Sequence, residues 1–549
     1  MATDKSALNF EQRNASIQSL REEQFDVLVI GGGITGCGIA LDAASRGLRV
    51  GLIEAQDLAS GTSSRSSKLI HGGLRYLEQY DFRLVREALH ERELMVTTQA
   101  PHLVKPVPFL YPLTKKVRER TYVGAGLALY DALRGFNRAL PNHKHMSKKT
   151  IHEIAPSLNL DIVTGGIQYF DAQVDDARHT MMVARTAAYH GAHIVTNTKC
   201  EELLKAGERV IGALVRDQLT GEQFEVKAKV TVMAAGVWSD PLHKKLGITP
   251  GFHVRMSKGV HIVLPKSAIN SNSGIILKTP VSVLFIIPWG EEWIIGTTDT
   301  EYEGDQIEPL ADKSDIDYIL AQVNKVLVPK ILESDILGVF AGLRPLVSRS
   351  ETSATAELSR EHIVDHPASG FVSIAGGKYT TYRIMAMDAI NLAAAEISEN
   401  VPSSCTKEIP ILGAFGFPAL LNRSQQIADD MGLSNETVLH LLNRYGSEIA
   451  VIAELLKVDP SLKEIVTPEL PYIRAEFLYA VTHEGALSIS DVMCRRTRIS
   501  FEKRDRGLSV VHSIAEIIGP YLLWTLEDQQ SSIKGYAELI SREIASSSS

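Results

Sequence analysis

The stretch FDVLVIGGGITGCGIA, residues 25–40, decides the fold of this chain. Phe25–Ile30 has the apolar pattern of a buried strand, and it runs directly into Gly31. A helix pattern follows from Cys37 to Arg46, and a second strand is predicted at Leu48–Ile53. The result is a β-α-β unit with G-x-G-x-x-G at its first turn, which is the pattern of a dinucleotide-binding fold.

Each part of this unit has a predicted task. Gly31 permits the tight turn, Gly33 lets a pyrophosphate approach the backbone, and Gly36 lets helix and strand pack closely. The helix N-terminus offers free N–H groups and the positive end of its dipole to the phosphates. Glu54, at the end of the second strand, is expected to accept hydrogen bonds from a ribose. NAD and FAD both fit this pattern, and a glycine-rich turn without a ligand is the alternative.

Two later strands also end in glycine, one at Ala235 and Gly236, and the other, Phe371–Ala375, at Gly376 and Gly377. Ligands of open α/β sheets bind at the carboxyl ends of strands, so the three strand ends are expected to share one site. A helix N-terminus after Gly377 would suit the pyrimidine end of a flavin, where negative charge develops on reduction. The combination favours FAD.

The composition narrows the possible functions of the 549 residues, a length that suits about two to four domains. The net charge of −8 argues against a nucleic-acid partner. Four scattered cysteines form no C-x-x-C pair, so neither a metal site nor a disulfide framework is predicted. The first 24 residues lack the apolar run of a secretion signal, and no stretch has the length and apolarity of a membrane span. We therefore expect a cytoplasmic protein.

The segment 114–150 stands apart because it carries nine Lys or Arg residues, opposed by Glu119 and Asp131. Its middle, Tyr122–Tyr130, is apolar. A basic segment with an apolar centre in an acidic protein predicts contact with an anionic membrane surface. An ordinary helix with a solvated basic face is the alternative.

The domains are predicted to be interleaved along the chain. The Pro101–Pro112 stretch contains four prolines and is taken as a boundary, and the sequence beyond Cys405 is helical in pattern. The predicted bounds are 22–90, 165–245 and 352–400 for the dinucleotide-binding domain, 91–164 and 246–351 for a substrate domain, and 405–545 for a C-terminal helical domain.

Several longer motifs, spread from about residue 24 to residue 510, resemble those of FAD-dependent glycerol-3-phosphate dehydrogenases. They are GTSS (61–64), KLIHGGLRYLE (68–78), VDDAR (174–178), GVHIV (259–263), IGTTD (295–299), GLRPL (342–346), GGKYTTYR (376–383) and RRT (495–497).

The resemblance implies an α/β fold, in which a Rossmann-like FAD-binding domain is interleaved with an antiparallel-sheet substrate domain and followed by a helical domain. It also implies that sn-glycerol 3-phosphate is oxidised at C2 to dihydroxyacetone phosphate, with hydride passing to flavin N5 and electrons to membrane quinone. Because quinone lies in the membrane, the resemblance also implies an enzyme that is peripherally attached to the cytoplasmic membrane face. An oxidase that passes electrons to oxygen is the alternative, and a non-enzymatic flavoprotein is a third hypothesis. A homodimer is one of the open oligomeric states.

Site residues follow from the same motifs. By resemblance, Arg344 and Arg360 hold the phosphate, and Arg75, Tyr76 and Lys378 complete the substrate pocket. His261 is the candidate general base, with Arg344 and Lys378 as further catalytic residues; a structural role is the alternative for His261, and a surface ion pair for Arg360. Beside Ala235, Glu54 and the glycines named above, the residues expected at FAD are Ser63, Ser64, Ser66, Ser67, Gly72 and Gly73.

Overall fold

The computed structural model describes residues 5–77, 80–115, 117–135, 139–279, 283–349, 361–398 and 400–548. Within these ranges two large sheets and a helical C-terminal region make up the fold. No helix in the described ranges combines the length and the apolar character that crossing a bilayer requires.

Eight strands of the described chain form the first sheet, in the order β17-β18-β10-β1-β2-β7, with β9 beside β10 and β8 beside β9. Numbered in chain order, they are β1 (Gln24–Ile30), β2 (Val50–Ile53), β7 (His193–Val195), β8 (Thr198–Ala206), β9 (Arg209–Asp217), β10 (Gln223–Met233), β17 (His362–Ala368) and β18 (Phe371–Gly376). The pairs β10-β1, β1-β2, β2-β7 and β10-β18 are parallel, as expected of a dinucleotide-binding sheet.

Helices pack on this sheet and bury the apolar side chains of its strands. Outside the C-terminal region, the described helices are α1 (Phe10–Glu22), α2 (Ile34–Ser45), α3 (Phe82–Leu94), α4 (Arg118–Leu133), α5 (Lys148–Ile154), α6 (Asp176–Tyr189), α7 (Ser239–Leu246), α8 (Lys313–Val323) and α9 (Tyr382–Ile397). Val27 and Val29 of β1 share a buried cluster with α2, α6 and α9. Leu28 and Ile30 join a second cluster with α1. Because both faces of β1 are buried from Val27 onward, residues 27–30 are continuously apolar, whereas Gln24 and Asp26 lie in its less buried first half.

Ten strands of the described chain form the second sheet, in the order β15-β11-β14-β13-β12-β4-β6-β3, with β16 beside β11 and β5 beside β6. They are β3 (Leu69–Ile70), β4 (Lys105–Leu113), β5 (Lys144–Met146), β6 (Gly165–Gln173), β11 (His253–Pro265), β12 (Gly274–Lys278), β13 (Val283–Trp289), β14 (Glu292–Gly296), β15 (Thr300–Glu301) and β16 (Gly338–Ser348). The sheet is antiparallel except where β12 runs parallel to β4.

Most of the Pro101–Pro112 stretch, which was expected to mark a boundary, is strand β4 of the second sheet. β4 pairs with β6 along its whole length, from Lys105 opposite Gln173 to Leu113 opposite Gly165. Its prolines stand at 106, 108 and 112. These positions have the same parity, so the missing N–H groups lie on one edge of the strand and leave the other edge able to pair.

The two sheets divide residues 165–245 differently from the predicted domain bounds. β6, at the start of that range, hydrogen-bonds with β4 in the second sheet, whereas β7 to β10 belong to the first. The short strand β3, within the predicted range 22–90, also pairs with β6. The chain therefore enters the second sheet between β2 and β3 and returns to the first sheet between β6 and β7. Pairing between strands so distant in sequence is not visible in local patterns.

The C-terminal region is helical, as predicted. Its described helices are α10 (Phe417–Asn422), α11 (Ser424–Met431), α12 (Asn435–Tyr445), α13 (Ile449–Val458), α14 (Arg474–Thr482), α15 (Ile489–Asp491), α16 (Ile499–Glu502), α17 (Val511–Ile518) and α18 (Leu526–Ser548). They enclose an apolar core of their own, in which Leu441, Phe477 and Ile514 are fully buried. The α/β fold with a helical C-terminal domain is therefore confirmed.

Candidate active site

A cavity of about 560 Å³ lies where the ends of three parallel strands meet the second sheet. Its wall includes Gly31 after β1, Ala235 and Gly236 after β10, and Gly376 and Gly377 at the end of β18. The three strand ends that were expected to share a site therefore border the same cavity. Its size is in the range usual for cofactor and ligand sites.

The turn after β1 is closely packed on both sides. Gly31 has a φ of +116°, and a Cβ there would lie 2.5 Å from the carbonyl oxygen of Ala234. A Cβ at Gly36 would lie 1.8 Å from the carbonyl oxygen of Gly31, so helix α2 and strand β1 touch through this glycine. At the start of α2 the N–H of Ile34 donates to Oγ of Ser63 at 2.9 Å. The serine loop and the glycine turn thus form one surface of the cavity.

Glu54 stabilises this turn through hydrogen bonds to its carboxylate. Its carboxylate accepts the N–H of Gly32 at 2.6 Å and that of Gln56 at 2.8 Å. Burial raises the pKa of the Glu54 carboxyl. Each oxygen retains a lone pair, so the predicted bond to a ribose is compatible with this bracing role.

The wall suits a bound dinucleotide because glycines stand at the turn after β1 and at the ends of β10 and β18. Gly376 and Gly377 have φ values of +78° and +81°, which favour glycine. A Cβ at Gly33 would lie 3.2 Å from Oγ of Ser63 and would crowd the gap between the turn and the serine loop. These positions keep N–H groups accessible to phosphates and to a flavin ring. The residues present therefore fit FAD.

His261, on β11, is almost fully buried in the wall of the same cavity. Its Nε2 lies 2.8 Å from Oγ of Ser67, and its ring stacks on that of Phe340 with centroids 4.8 Å apart. Burial, together with the positive charges of Arg344 and Lys68, holds the pKa of His261 well below its ordinary value. The imidazole is therefore neutral near pH 7 and able to accept a proton.

Arg344 lies on β16, which pairs with β11 so that Arg344 stands opposite Ser257. Its Nη2 donates to Oγ1 of Thr297 at 2.7 Å, and Nη1 lies 3.4 Å from a carboxylate oxygen of Asp299. These contacts fix the plane of the guanidinium at the cavity wall. A planar, oriented guanidinium is suited to bidentate binding of a phosphate.

Tyr76 and Lys378 meet at the wall although about 300 residues separate them in the chain. Nζ of Lys378 lies 3.7 Å from the centroid of the Tyr76 ring. Gly73, with φ +77°, lets the ring lie against the backbone, since a Cβ there would be 2.2 Å from a ring carbon. The pair adds a positive charge to the wall that holds His261 and Arg344.

Most of the predicted residues border the cavity. The wall contains Gly31, Gly33, Glu54, Ser63, Ser66, Ser67, Tyr76, Ala235, Gly236, His261, Arg344, Gly376, Gly377 and Lys378. Four predicted cofactor residues lie behind it instead: Gly36, Ser64, Gly72 and Gly73. Gly72 donates its N–H to the hydroxyl of Tyr130 at 2.8 Å, so it supports the wall. Arg360 lies outside the described residues, as does the side chain of Arg75.

Further residues of the wall escaped prediction, Arg65 and Trp238 among them. Arg65 borders the cavity and donates to the carbonyl of Ile307 at 3.2 Å. Trp238 packs against Gly61, where a Cβ would lie 2.8 Å from its ring. In the sequence, the glycine at position 61 is the one local sign that a large side chain packs against this loop. Nothing in the sequence distinguishes Arg65 from other basic loop residues.

Comparison with known proteins identifies the family. Residues 26–383 match the family model described as FAD dependent oxidoreductase, and residues 404–529 match the C-terminal domain of alpha-glycerophosphate oxidase. Over 541 residues the chain is 50% identical to glycerol-3-phosphate dehydrogenase 2 of Mycobacterium tuberculosis, which covers 98% of this chain and 92% of the relative. The chain belongs to the FAD-dependent glycerol-3-phosphate dehydrogenase family.

More distant proteins agree with that family. The mitochondrial glycerol-3-phosphate dehydrogenase of Mus musculus is 36% identical over 545 residues, covering 95% of this chain and 74% of that protein. The crystal structure of glycerol-3-phosphate dehydrogenase from Bacillus halodurans complexed with FAD has a TM-score of 0.79 and 29% identity, with 97% and 98% of the chains covered. L-α-glycerophosphate oxidase from Mycoplasma pneumoniae, at 20% identity and a TM-score of 0.55, shares the fold. The predictions of an enzyme and of FAD as its cofactor are confirmed.

Proposed function

We propose that this enzyme oxidises sn-glycerol 3-phosphate to dihydroxyacetone phosphate. The observation that carries the proposal is the position of His261 and Arg344, on adjacent strands β11 and β16, in the wall of the cavity that the Gly31 turn also borders. A residue that can accept a proton and a residue that can bind a phosphate therefore border the same cavity as the glycine turn after β1. The relatives named glycerol-3-phosphate dehydrogenase support this substrate.

Arg344 binds the phosphate in this proposal. Thr297 and Asp299 hold its guanidinium in place, so little side-chain freedom is lost when a dianion arrives. Lys378, with Tyr76 beneath its ammonium group, supplies a second positive charge. We assign Arg75 and Arg360 to the same pocket by resemblance to the family.

His261 removes the hydroxyl proton at C2. Its low pKa keeps it neutral, and the contact between Ser67 and Nε2 fixes its ring orientation. Nδ1 has no hydrogen-bond partner among the described residues. Because Nδ1 is also closed off from solvent, Nε2 is the proton acceptor in this proposal, on the ring edge that Ser67 contacts at the cavity wall.

The turn at Gly31–Gly36, Ser63 and the glycines at 376 and 377 would hold FAD. Bound FAD supplies the acceptor, at flavin N5, for the hydride that leaves C2. The helix α2 N-terminus would stabilise the pyrophosphate of the bound cofactor, because its free N–H groups and dipole favour an anion.

We propose quinone as the electron acceptor, with oxygen as the alternative that an oxidase would use. An acceptor test separates them: turnover is measured with a soluble quinone under argon, and peroxide is measured in air without quinone. We expect turnover with quinone and little peroxide. One peroxide per substrate oxidised, at a rate equal to quinone-supported turnover, would identify an oxidase instead.

We further propose that the enzyme attaches peripherally to an anionic membrane on its cytoplasmic face through the segment 114–150. On helix α4, Leu127 and Tyr130 face the protein, whereas Tyr122 and Leu129 are 64% and 40% exposed. Exposed basic residues of the same segment are Lys115, Arg118, Lys148 and Lys149. Exposed apolar residues in a basic segment suit insertion at the headgroup level of anionic lipid.

A further inference from the structure

Two contacts hold the ring of His261, one at its edge and one on its face. At its edge, Oγ of Ser67 lies 2.8 Å from Nε2. On its face, the ring of Phe340 stacks at 4.8 Å and an interplanar angle of 12°. What fixes Ser67 and Phe340 therefore also fixes the imidazole.

Ser67 belongs to the loop Ser64–Lys68, which is hydrogen-bonded to the carboxylate of Asp176. A single carboxylate oxygen of Asp176 accepts the N–H of Ser66 at 3.0 Å and its hydroxyl at 2.7 Å. The other oxygen accepts Nζ of Lys68 at 2.7 Å, and Lys68 also donates to the carbonyl of Ser64 at 3.1 Å. Lys68 and Asp176 are completely buried. The residues on either side of Ser67 are thus tied to one carboxylate.

Arg498, from the C-terminal domain, completes this cluster. Its Nη2 lies 2.6 Å from the same oxygen of Asp176 that binds Lys68, and its Nε donates to Asp175 at 3.0 Å. Its Nη1 is 3.4 Å from the carbonyl of Ser64. The two cations and two carboxylates balance, which is what allows so many charges to be buried together.

A second connection runs through aromatic rings. Phe501, at the end of the same C-terminal segment, packs on Phe340 with centroids 5.4 Å apart. Nζ of Lys68 lies 5.2 Å from the Phe340 ring and 5.4 Å from the Phe501 ring. Both the edge contact and the face contact of His261 therefore lead back to residues 498–501.

We propose that the C-terminal domain is part of the catalytic machinery: Arg498 and Phe501 are positioning residues that hold His261 at its working orientation, Arg498 through Asp176 and the Ser64–Lys68 loop, and Phe501 through Phe340. This rests on the proposed function, in which His261 accepts the substrate proton. General-base catalysis depends on the distance and angle of the acceptor atom, so a small rotation of the ring lowers the rate without removing the base.

The test uses full-length FAD-loaded protein and measures the rate of flavin reduction at saturating sn-glycerol 3-phosphate, together with the half-saturating concentration. We expect Ser67→Ala and Arg498→Lys each to slow reduction about tenfold, because each loosens one hydrogen-bonded support of the imidazole. The half-saturating concentration stays near the wild-type value, since the phosphate ligands are untouched. Ser67→Thr, which keeps the hydroxyl, restores the rate.

The decisive variant is the double substitution. If Arg498 acts through Ser67, the variant Ser67→Ala/Arg498→Lys is no slower than Ser67→Ala alone. If the double variant instead slows reduction by the product of the two single effects, the proposed connection from Arg498 through Ser67 to the edge of His261 is overturned. Phe501→Leu, which removes the aromatic contact with Phe340, is expected to slow reduction further in the Ser67→Ala background, because it acts on the face of His261.

Arg185→Lys is the matched control, since Arg185 is likewise a buried arginine whose ion pair joins α6 to the C-terminal domain, in this case with Glu448 at 3.0 Å. It is expected to lower thermal stability but to leave the reduction rate unchanged. Equal slowing in Arg185→Lys and Arg498→Lys would overturn the proposal in favour of general loosening. Should Arg498→Lys not fold, Ser66→Ala removes the hydroxyl bond that ties the loop to Asp176, and a wild-type rate there would equally overturn the proposal. If the wild-type flavin is not reduced at all, the proposed function fails rather than this inference.

Discussion

A carboxylate oxygen of Asp299 lies 3.4 Å from a guanidinium nitrogen of Arg344 at the wall of the cavity. With Thr297 on the other nitrogen at 2.7 Å, the pair defines the orientation of Arg344 before any ligand arrives. Asp299 also reduces the cost of keeping this partly buried cation in place. In the proposed function the substrate phosphate would meet a pre-oriented fork, which is the arrangement that favours bidentate binding.

Replacing Arg344 should therefore affect substrate binding first. We expect Arg344→Ala to raise KM about 10- to 100-fold, because a charge-assisted hydrogen bond contributes about 1.5–3 kcal/mol. Arg344→Lys should raise it less, since the charge remains but the fork is lost. Steady-state kinetics with a quinone analogue would measure both. An unchanged KM in Arg344→Ala would remove Arg344 from the phosphate pocket.

His261→Ala should lower kcat about 10²- to 10⁴-fold if the imidazole is the general base, with a smaller change in KM. His243 provides the control: it is equally buried and lies 2.8 Å from Oγ of Ser373, but it is not part of the cavity wall. His243→Ala should cost stability and leave kcat near that of the wild type. A near-normal kcat in His261→Ala would leave that histidine with a structural role.

The pH dependence of flavin reduction follows from the lowered pKa of His261. A base works in its neutral form, which predominates above its pKa. Because burial and the charges of Arg344 and Lys68 lower that pKa, the base is already neutral below the ordinary histidine range. At saturating substrate we expect a rate that is flat from about pH 6.5 to about pH 8. A rate that rises tenfold per pH unit across this interval would contradict the assignment.

Gly36→Ala should abolish FAD retention, because the new methyl group would lie 1.8 Å from the carbonyl oxygen of Gly31 and force α2 away from β1. Gly126→Ala is the matched helical control, since a Cβ there meets nothing within 4 Å. It should keep a full flavin complement and be slightly more stable, as alanine is the better helix former. The flavin-to-protein absorbance ratio measures both, and normal flavin content in Gly36→Ala would refute the packing argument.

Membrane attachment can be tested on helix α4 with pelleting assays on anionic vesicles. The variant Lys115→Glu/Arg118→Glu/Tyr122→Ser should bind markedly less, because it removes two basic groups and one exposed ring. Lys457→Glu/Lys534→Glu changes net charge by the same amount at exposed sites of the C-terminal domain and should bind like the wild type. Equal binding by all three proteins would exclude segment 114–150 as the main attachment.

The sequence predicted those parts of the site that depend on local pattern. The turn from Gly31 to Gly36 was predicted because strand, glycines and helix are contiguous, and each glycine has a steric reason that can be stated beforehand. The strand ends at Ala235 and Gly376 followed from the general position of ligands in parallel sheets. His261 and Arg344 came from the family resemblance, and pairing of β11 with β16 explains why they are neighbours.

What the sequence did not reveal depends on contacts between distant residues. Arg498 and Asp176 are 322 positions apart, and nothing near either residue indicates that they share a buried cluster. The pairing of β6 with β4 was hidden by the prolines of β4, whose compatibility with a sheet depends on which edge is paired. Arg65 was missed because a basic residue in a polar loop has no distinguishing local signal.

The central claim is tested most directly by anaerobic mixing of the FAD-loaded enzyme with sn-glycerol 3-phosphate, while the oxidised flavin band is followed. The account predicts rapid and complete bleaching, with dihydroxyacetone phosphate formed in one equivalent per flavin. Glycerol and sn-glycerol 1-phosphate should bleach the band far more slowly, because the first lacks the phosphate for Arg344 and the second has the opposite configuration at C2. A fully flavinated enzyme that is not bleached by sn-glycerol 3-phosphate would contradict the account.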